Sequence, residues 1–172
     1  MKMLFVLLLL MSIRVAGQEI KVEYDKNHDF SKYKTFSFGE NVVVTPTNQR
    51  RVSDATFDNW IKNGISRELQ FKGMKRMDSL ADLIVTYAFV RTPQLDVEPI
   101  GPLGMTPGSS DRSWSRTYTE STLIIDLNNQ SNLLIWRVKG TFDVASSNVE
   151  SVIDMIIARG FKKYGKGKKK KH

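Results

Sequence analysis

Ile20, Val22 and Tyr24 alternate with Glu19, Lys21 and Glu23, the period of two that predicts a half-buried strand. The polar stretch 25–29 reads as a turn. Residues 33–38 predict a second strand, with Phe36 and Phe38 on one face and Tyr33 and Thr35 on the other. The period then changes. Phe57, Trp60, Ile61, Ile65 and Leu69 recur at helical spacing behind Ser53 or Asp54 as N-cap, and Lys72-Gly73 marks the end of that helix. Residues 83–90 are apolar and β-branched enough for an interior strand.

Residues 91–113 contain Pro93, Pro99, Pro102 and Pro107 with Gly101, Gly104 and Gly108, and are read as a long loop. Alternation resumes over 114–127, turns at Asn128-Asn129, and returns over 133–142 with Leu134, Trp136, Val138 and Phe142 on one face. A link that short makes the two strands an antiparallel hairpin. The last element opens on Ser147-Asn-Val-Glu150, which has the form of a capping box. Val149, Val152, Ile153, Ile156 and Ile157 then form a one-sided helical stripe that stops at Gly160. Two one-sided helices need a sheet face to cover. The expected fold is therefore α+β: a two-layer sandwich with a mostly antiparallel sheet of about five strands and both helices on one face.

The N-terminus follows a different logic. Lys2 precedes an unbroken apolar run over residues 4–11, and Val15-Ala16-Gly17 supplies small residues before Gln18. That order of charge, apolar run and small-residue exit predicts a signal peptide over 1–17, cleaved between Gly17 and Gln18. Arg14 ends the run well short of the roughly 20 residues of a membrane anchor. Residues 18–164 then form a single domain, and 165–172 a polybasic tail. The expected location is the periplasm or cell envelope of a Gram-negative bacterium. The chain has no cysteine, so it offers no disulfide framework, no thiolate metal site and no cysteine for lipid attachment.

The net charge of +8 is concentrated at the ends. Seven lysines lie at 162, 163, 166 and 168–171, and Lys2 and Arg14 leave with the signal. Without those nine, seventeen cations face eighteen acids. The body is near neutral. Lys166, Lys168, Lys169, Lys170 and Lys171 are expected to give weak electrostatic contact with an anionic membrane surface. Export and the lack of a recognition motif argue against nucleic acid.

Candidate chemistry is sparse. The two histidines, His28 and His172, fall in a turn and at the last position, which leaves no basis for a His-dependent triad or a histidine-rich metal site. Residues 25–29 place oxygen ligands at alternate positions but lack the twelve-residue frame and terminal glutamate of a calcium loop. Asp82, Glu120 and Asp126 are the carboxylates that could serve acid–base chemistry; strand-end aspartates more commonly bind turn amides. No cofactor is expected. Trp114, Arg116 and Tyr118 share one face of their strand by alternation, and Arg137 and Lys139 point away from the Trp136 side. An open face carrying Trp, Tyr and Arg has the composition of a partner-binding surface. Cross-strand pairs that merely stabilise a bare sheet would look the same.

The segment Asp29-Phe-Ser-Lys-Tyr-Lys-Thr-Phe-Ser-Phe38 resembles the opening motif of the bacterial family known as domain of unknown function 4136. Lys72-Gly73-Met74, Ala81-Asp82-Leu-Ile-Val-Thr-Tyr87, and Thr122-Leu-Ile-Ile-Asp-Leu127 with Leu134-Ile-Trp-Arg137 resemble its later motifs in the same order. The resemblance implies an exported envelope protein, in many members a lipoprotein, with an α+β fold and no assigned activity. Two departures stand out: no cysteine for a lipid anchor, and Val138 where a glycine commonly follows the Trp-Arg pair. The resulting expectation is a non-enzymatic module that binds a partner or envelope component. A periplasmic small-molecule or lipid carrier is the alternative, and an enzyme of unknown class the third reading.

Overall fold

A computed structural model describes residues 19–46, 52–99, 113–143 and 148–165, with the backbone alone at 94–99 and 113–118. Signal cleavage at Gly17 and Gln18 and the tail lysines 166–171 lie outside the described residues. The elements in chain order are β1 (Glu19–Glu23), a 3-10 turn (Phe30–Lys32), β2 (Thr35–Val44), α1 (Asp54–Phe71), β3 (Lys75–Arg76), β4 (Leu83–Pro99), β5 (Ser113–Asn129), β6 (Leu134–Asp143) and α2 (Val149–Phe161).

The sheet has six strands in the order β1-β6-β5-β4-β2-β3, one more than expected. The additional strand is the two-residue β3, where Lys75 N donates to Lys34 O at 2.8 Å and Met77 N to Phe36 O at 2.8 Å. Backbone pairing makes it a strand, and its two exposed polar side chains carry no periodic signal. β4, β5, β6 and β1 pair antiparallel, whereas β2 runs parallel to both β4 and β3. The parallel pairs follow from α1, a crossover that returns the chain in its original direction.

Both helices cover one face. Phe57 of α1 lies 4.8 Å from Phe89 of β4, ring centre to ring centre. Gly140 and Gly160 mark where α2 comes closest to β6: a Cβ at Gly140 would stand 2.5 Å from Ile156, and one at Gly160 2.4 Å from Val138. Leu83, Val85, Phe89, Leu123, Ile125, Leu127, Trp136 and Val138 point into this layer and are fully buried. Asp154 of α2 holds Arg67 of α1 at 3.0 Å, tying the helices together at the surface.

The local details partly depart from the expectations. Ser53 caps α1 as predicted, accepting from Thr56 N, and Gly73 takes the left-handed conformation at its end (φ +84°). The cap of α2 is Asn148, whose Oδ1 accepts from Ser151 N at 3.2 Å, in place of Ser147, which lies outside the described residues. Leu134 is exposed, because an irregularity between Leu127 and Asn128 shifts the register and turns Ile135 inward. Tyr33 is buried before β2 begins and does not share an open face with Thr35.

The loop expected to start at Arg91 is also corrected. β4 runs on to Pro99 and pairs with β5 as far as Ser113. The β2–β4 pairing stops at Val44 and Val90, and the β5–β6 pairing at Glu120 and Asp143. From Pro93 opposite Thr119 to Pro99 opposite Ser113, the two strands therefore continue as a ribbon about 20 Å long. Both prolines fall where β2 no longer lies alongside to need their missing N–H.

Candidate functional site

The motifs noted in the sequence converge on one clamp. Asp29 caps the 3-10 turn, accepting from Ser31 N at 3.0 Å and from Ser31 Oγ at 2.6 Å. The side-chain bond from Ser31, with the backbone bond beside it, lowers its pKa. The cap directs Phe30 into a ring cluster with Tyr24, Trp136 and Tyr164. His28 stacks on Tyr33 and shares a 2.9 Å hydrogen bond between Nε2 and Tyr33 Oη. Asp82 Oδ2 accepts from Lys34 N at 2.8 Å, Thr35 N at 2.9 Å and Thr35 Oγ1 at 2.9 Å. The Lys34 backbone bond lowers the Asp82 pKa; burial opposes it, and the two bonds from Thr35 add to the lowering. Its oxygen is engaged in joining β2 to the start of β4.

The other candidate carboxylates are placed differently. Asp126 forms a bidentate pair with Arg137 of β6, at 2.7 Å to Nε and 2.6 Å to Nη2. Its hydrogen bond raises the pKa of Arg137. Glu120 sits near the end of the three-stranded region, opposite Asp143. A polar group the sequence reading missed is Asp58 of α1, which receives Lys62 Nζ at 2.7 Å and Tyr87 Oη of β4. Burial raises its pKa, and the two hydrogen bonds outweigh that and leave it lowered. Burial first, and then the Asp58 bond, pushes the Tyr87 phenol well above its ordinary range. The i, i+4 spacing of Asp58 and Lys62 was legible; the tyrosine partner was not. Among the described residues, no group of three or more His, Cys, Asp or Glu is arranged to hold a metal ion.

Among the described residues, no element covers the face away from the helices. Alternation places Ile84, Thr86, Ala88 and Val90 of β4, Thr122, Ile124 and Asp126 of β5, and Arg137 and Lys139 of β6 on it. A bulge between Phe38 and Asn41 turns Val42 and Val44 of β2 onto the same side. Val42 is 51%, Val44 49% and Val90 37% exposed, an apolar strip at one end of this face. Arg137 and Lys139 occupy the other end, next to Glu23 and Lys21 of β1.

The predicted binding set is thus not one patch. The Cα partners of Arg137 and Lys139 on β5 are Asp126 and Ile124, while Tyr118 lies six residues beyond Ile124, roughly 20 Å along the strand. The backbones of Trp114, Arg116 and Tyr118 belong to the ribbon, opposite Glu98, Asp96 and Gln94; their side chains lie outside the described residues.

Two depressions lie among the described residues. One of about 350 Å³ is lined by Phe30, Tyr33, Lys34, Lys72, Met74 and Tyr164. The other, about 560 Å³ and half open to solvent, lies between β1 and the end of α2.

A family model matches residues 20–164. The chain belongs to the family Domain of unknown function (DUF4136). Asp29, Phe30, Tyr33, Thr35 and Asp82, which lie in the segments that resemble the family's motifs, serve the turn cap, the aromatic packing and the clamp. Comparison with curated proteins returns no match. Among solved structures, the PelC L103M dodecamer from Paraburkholderia phytofirmans is 13% identical, covers 83% of this chain and 93% of its own, and has a TM-score of 0.48. A PDZ domain protein from Parabacteroides distasonis is 14% identical and covers 88% of this chain with a TM-score of 0.53. The chain spans 37% of that protein, and the likeness concerns the fold alone.

Proposed function

We propose that this DUF4136 chain is an exported, non-enzymatic module of the bacterial cell envelope that docks a partner protein on the uncovered face of its sheet. The observation that carries the reading is the exposed strip Val42, Val44 and Val90 beside Ile84, Ala88 and Ile124. Apolar side chains on a layer with no helix to cover them are stabilised by whatever excludes water from them. Beyond Ile124, at the other end of the face, the Arg137–Asp126 pair and Lys139 supply a polar rim. The use of Asp82 in the clamp and Asp126 in an ion pair supports a non-enzymatic role. The half-open form of the larger depression favours surface contact over enclosure of a carried ligand.

A photo-crosslinking residue at position 42 or 90, introduced in the native host, tests this. The expected result is a discrete crosslinked protein that disappears when Val44→Glu is added. Equal labelling from position 42 and from the helix-side surface position Arg67 would overturn the reading.

A further inference from the structure

We propose that the depression between the 3-10 turn, the end of α1 and the residues after α2 is a binding site for a small aromatic carboxylate. At about 350 Å³ it has the size for one small molecule. None of its lining residues belongs to the uncovered sheet face, so the site does not depend on what docks there.

Tyr164 is the residue that points to a ligand. It lines the depression and is 4% exposed, and among the described residues its hydroxyl has no hydrogen-bond partner. Buried hydroxyls are ordinarily paired, because an unpaired one loses its bonds to water without replacement. The ring is held in place, edge-on to Phe30 at 5.3 Å and to Trp136 at 5.4 Å. The Tyr33 hydroxyl is engaged with His28 Nε2 at 2.9 Å. The fold thus fixes a polar contact for which it supplies no partner.

The charge of the site is one-sided. Lys34 and Lys72 line the depression, and no acidic residue does. Asp29 and Asp82, beside it in sequence and in the clamp, are engaged with Ser31 and with the Lys34 and Thr35 amides. Among the described residues neither lysine has an ion-pair partner. Phe30, Tyr33 and Met74 supply buried apolar wall. Ring edges and a methionine sulfur together suit an aromatic ring. Gly73 and Gly165 stand exposed on the lip, with nothing within 4 Å of where a side chain would start.

The choice of a carboxylate over a phosphate rests on the supply of donors. A phosphate group presents several strong acceptor oxygens and is ordinarily met by free backbone N–H groups or arginine forks. Here the N–H groups of Ser31, Lys34, Gly73, Met74 and Tyr164 are already bonded within the protein, and no arginine lines the site. Two ammoniums and one hydroxyl match a single carboxylate at one end of a ring and one polar atom at the other.

The test uses the chain beginning at Gln18, which retains every described residue. Amide chemical shifts are followed while para-hydroxyphenylacetate is added. Phenylacetate, which lacks the hydroxyl, para-hydroxyphenylacetamide, which lacks the charge, and inorganic phosphate are titrated alongside. Saturable shifts are expected at Gly73 and Gly165. The neutral amide should bind about tenfold more weakly than the acid, since bonds to a charged group are the stronger ones. Lys34→Gln combined with Lys72→Gln should weaken the acid to a similar extent. Tyr164→Phe should weaken para-hydroxyphenylacetate about fivefold and leave phenylacetate unchanged. That variant loses no internal hydrogen bond and should melt no lower than wild type. A lower melting temperature would give the hydroxyl a purely structural role and overturn the proposal. The same holds if both acids respond alike to Tyr164→Phe, whether by weakening or by no change. It is equally overturned if no probe shifts the two glycines, or if inorganic phosphate shifts them as strongly as the acid, the mark of a general anion site only.

Discussion

Thr35 and Asp82, 47 residues apart, hold each other in both directions: Thr35 Oγ1 donates to Asp82 Oδ2 at 2.9 Å and accepts from Asp82 N at 2.9 Å. Together with the Lys34 and Thr35 amides this closes the crossover between β2 and β4, which no direct hairpin could set. Asp82→Ala is expected to cost about 2 kcal/mol, discounted for partial exposure, measured by chemical denaturation. The carboxylate's folded pKa lies below its ordinary 3.8, so its contribution is complete above that value and is lost as pH falls through the folded pKa. The stability difference between wild type and Asp82→Asn should therefore be largest near neutrality and shrink below about pH 4. A difference that grows on acidification would contradict the clamp.

Val138 of β6 packs against the backbone of α2 at Gly160. Its side chain occupies the space that Gly160 of α2 leaves open, and a Cβ at 160 would lie 2.4 Å from Val138 Cγ1. Gly160→Ala should destabilise by about 1–3 kcal/mol through overpacking. Adding Val138→Gly, which removes the side chain that a Cβ at 160 would meet, should recover part of the loss. Strict additivity in thermal or urea unfolding would show that the two positions do not share the contact.

The Arg137–Asp126 pair crosses β5 and β6 with both guanidinium bonds made to one carboxylate. A double-mutant cycle to alanine should give a coupling of about 1 kcal/mol that declines with salt, because the arginine is 40% exposed. Arg137→Lys should not restore it, since an ammonium cannot reproduce the fork. Full retention with lysine would mean that charge alone matters here.

Tyr87 and Tyr164 both have phenols held above the ordinary value of 10.0, by burial first and then by Asp58 and Tyr33 respectively. Each contributes stability that is complete below pH 10 and lost as pH rises beyond it, because the unfolded phenols ionise first. Tyrosinate absorbance from these two should appear only with alkaline unfolding, and Tyr87→Phe should reduce that dependence. Ionisation of all five tyrosines at pH 10 in a folded chain would contradict their burial.

Much of the architecture was legible because it is written in local period. The stripes of α1 and α2, the Ser53 cap and the Gly73 stop are properties of residues within one or two turns of each other. Inward alternation on β5, and on β6 from Trp136 onward, was equally readable, and the Leu123, Ile125, Leu127 face is buried as expected. The ribbon beyond Arg91 was obscured by its prolines, although Leu95 and Val97 between Gln94, Asp96 and Glu98 carry the alternation of a strand. A proline rules out a central strand and not an outer one.

Local pattern therefore specifies both helices and the half-buried strands, and which side of each seeks the core, since periodicity reports burial directly; β3 and the ribbon, which bury neither face on the helices, escape it. It does not specify neighbours. That β1 pairs with β6, that β2 lies parallel to β4, and that Asp82 meets Thr35 depend on contacts between distant segments. The same limit applies to the candidate sites. Lys34 and Lys72 are unremarkable lysines until the pairing of β3 with β2 brings them to one depression beside Tyr164. Valines 42 and 44 form an exposed strip only because a bulge turns them outward onto the side the helices leave bare. Charge and apolar area become a surface through the order of the strands, a non-local quantity that no window of sequence contains.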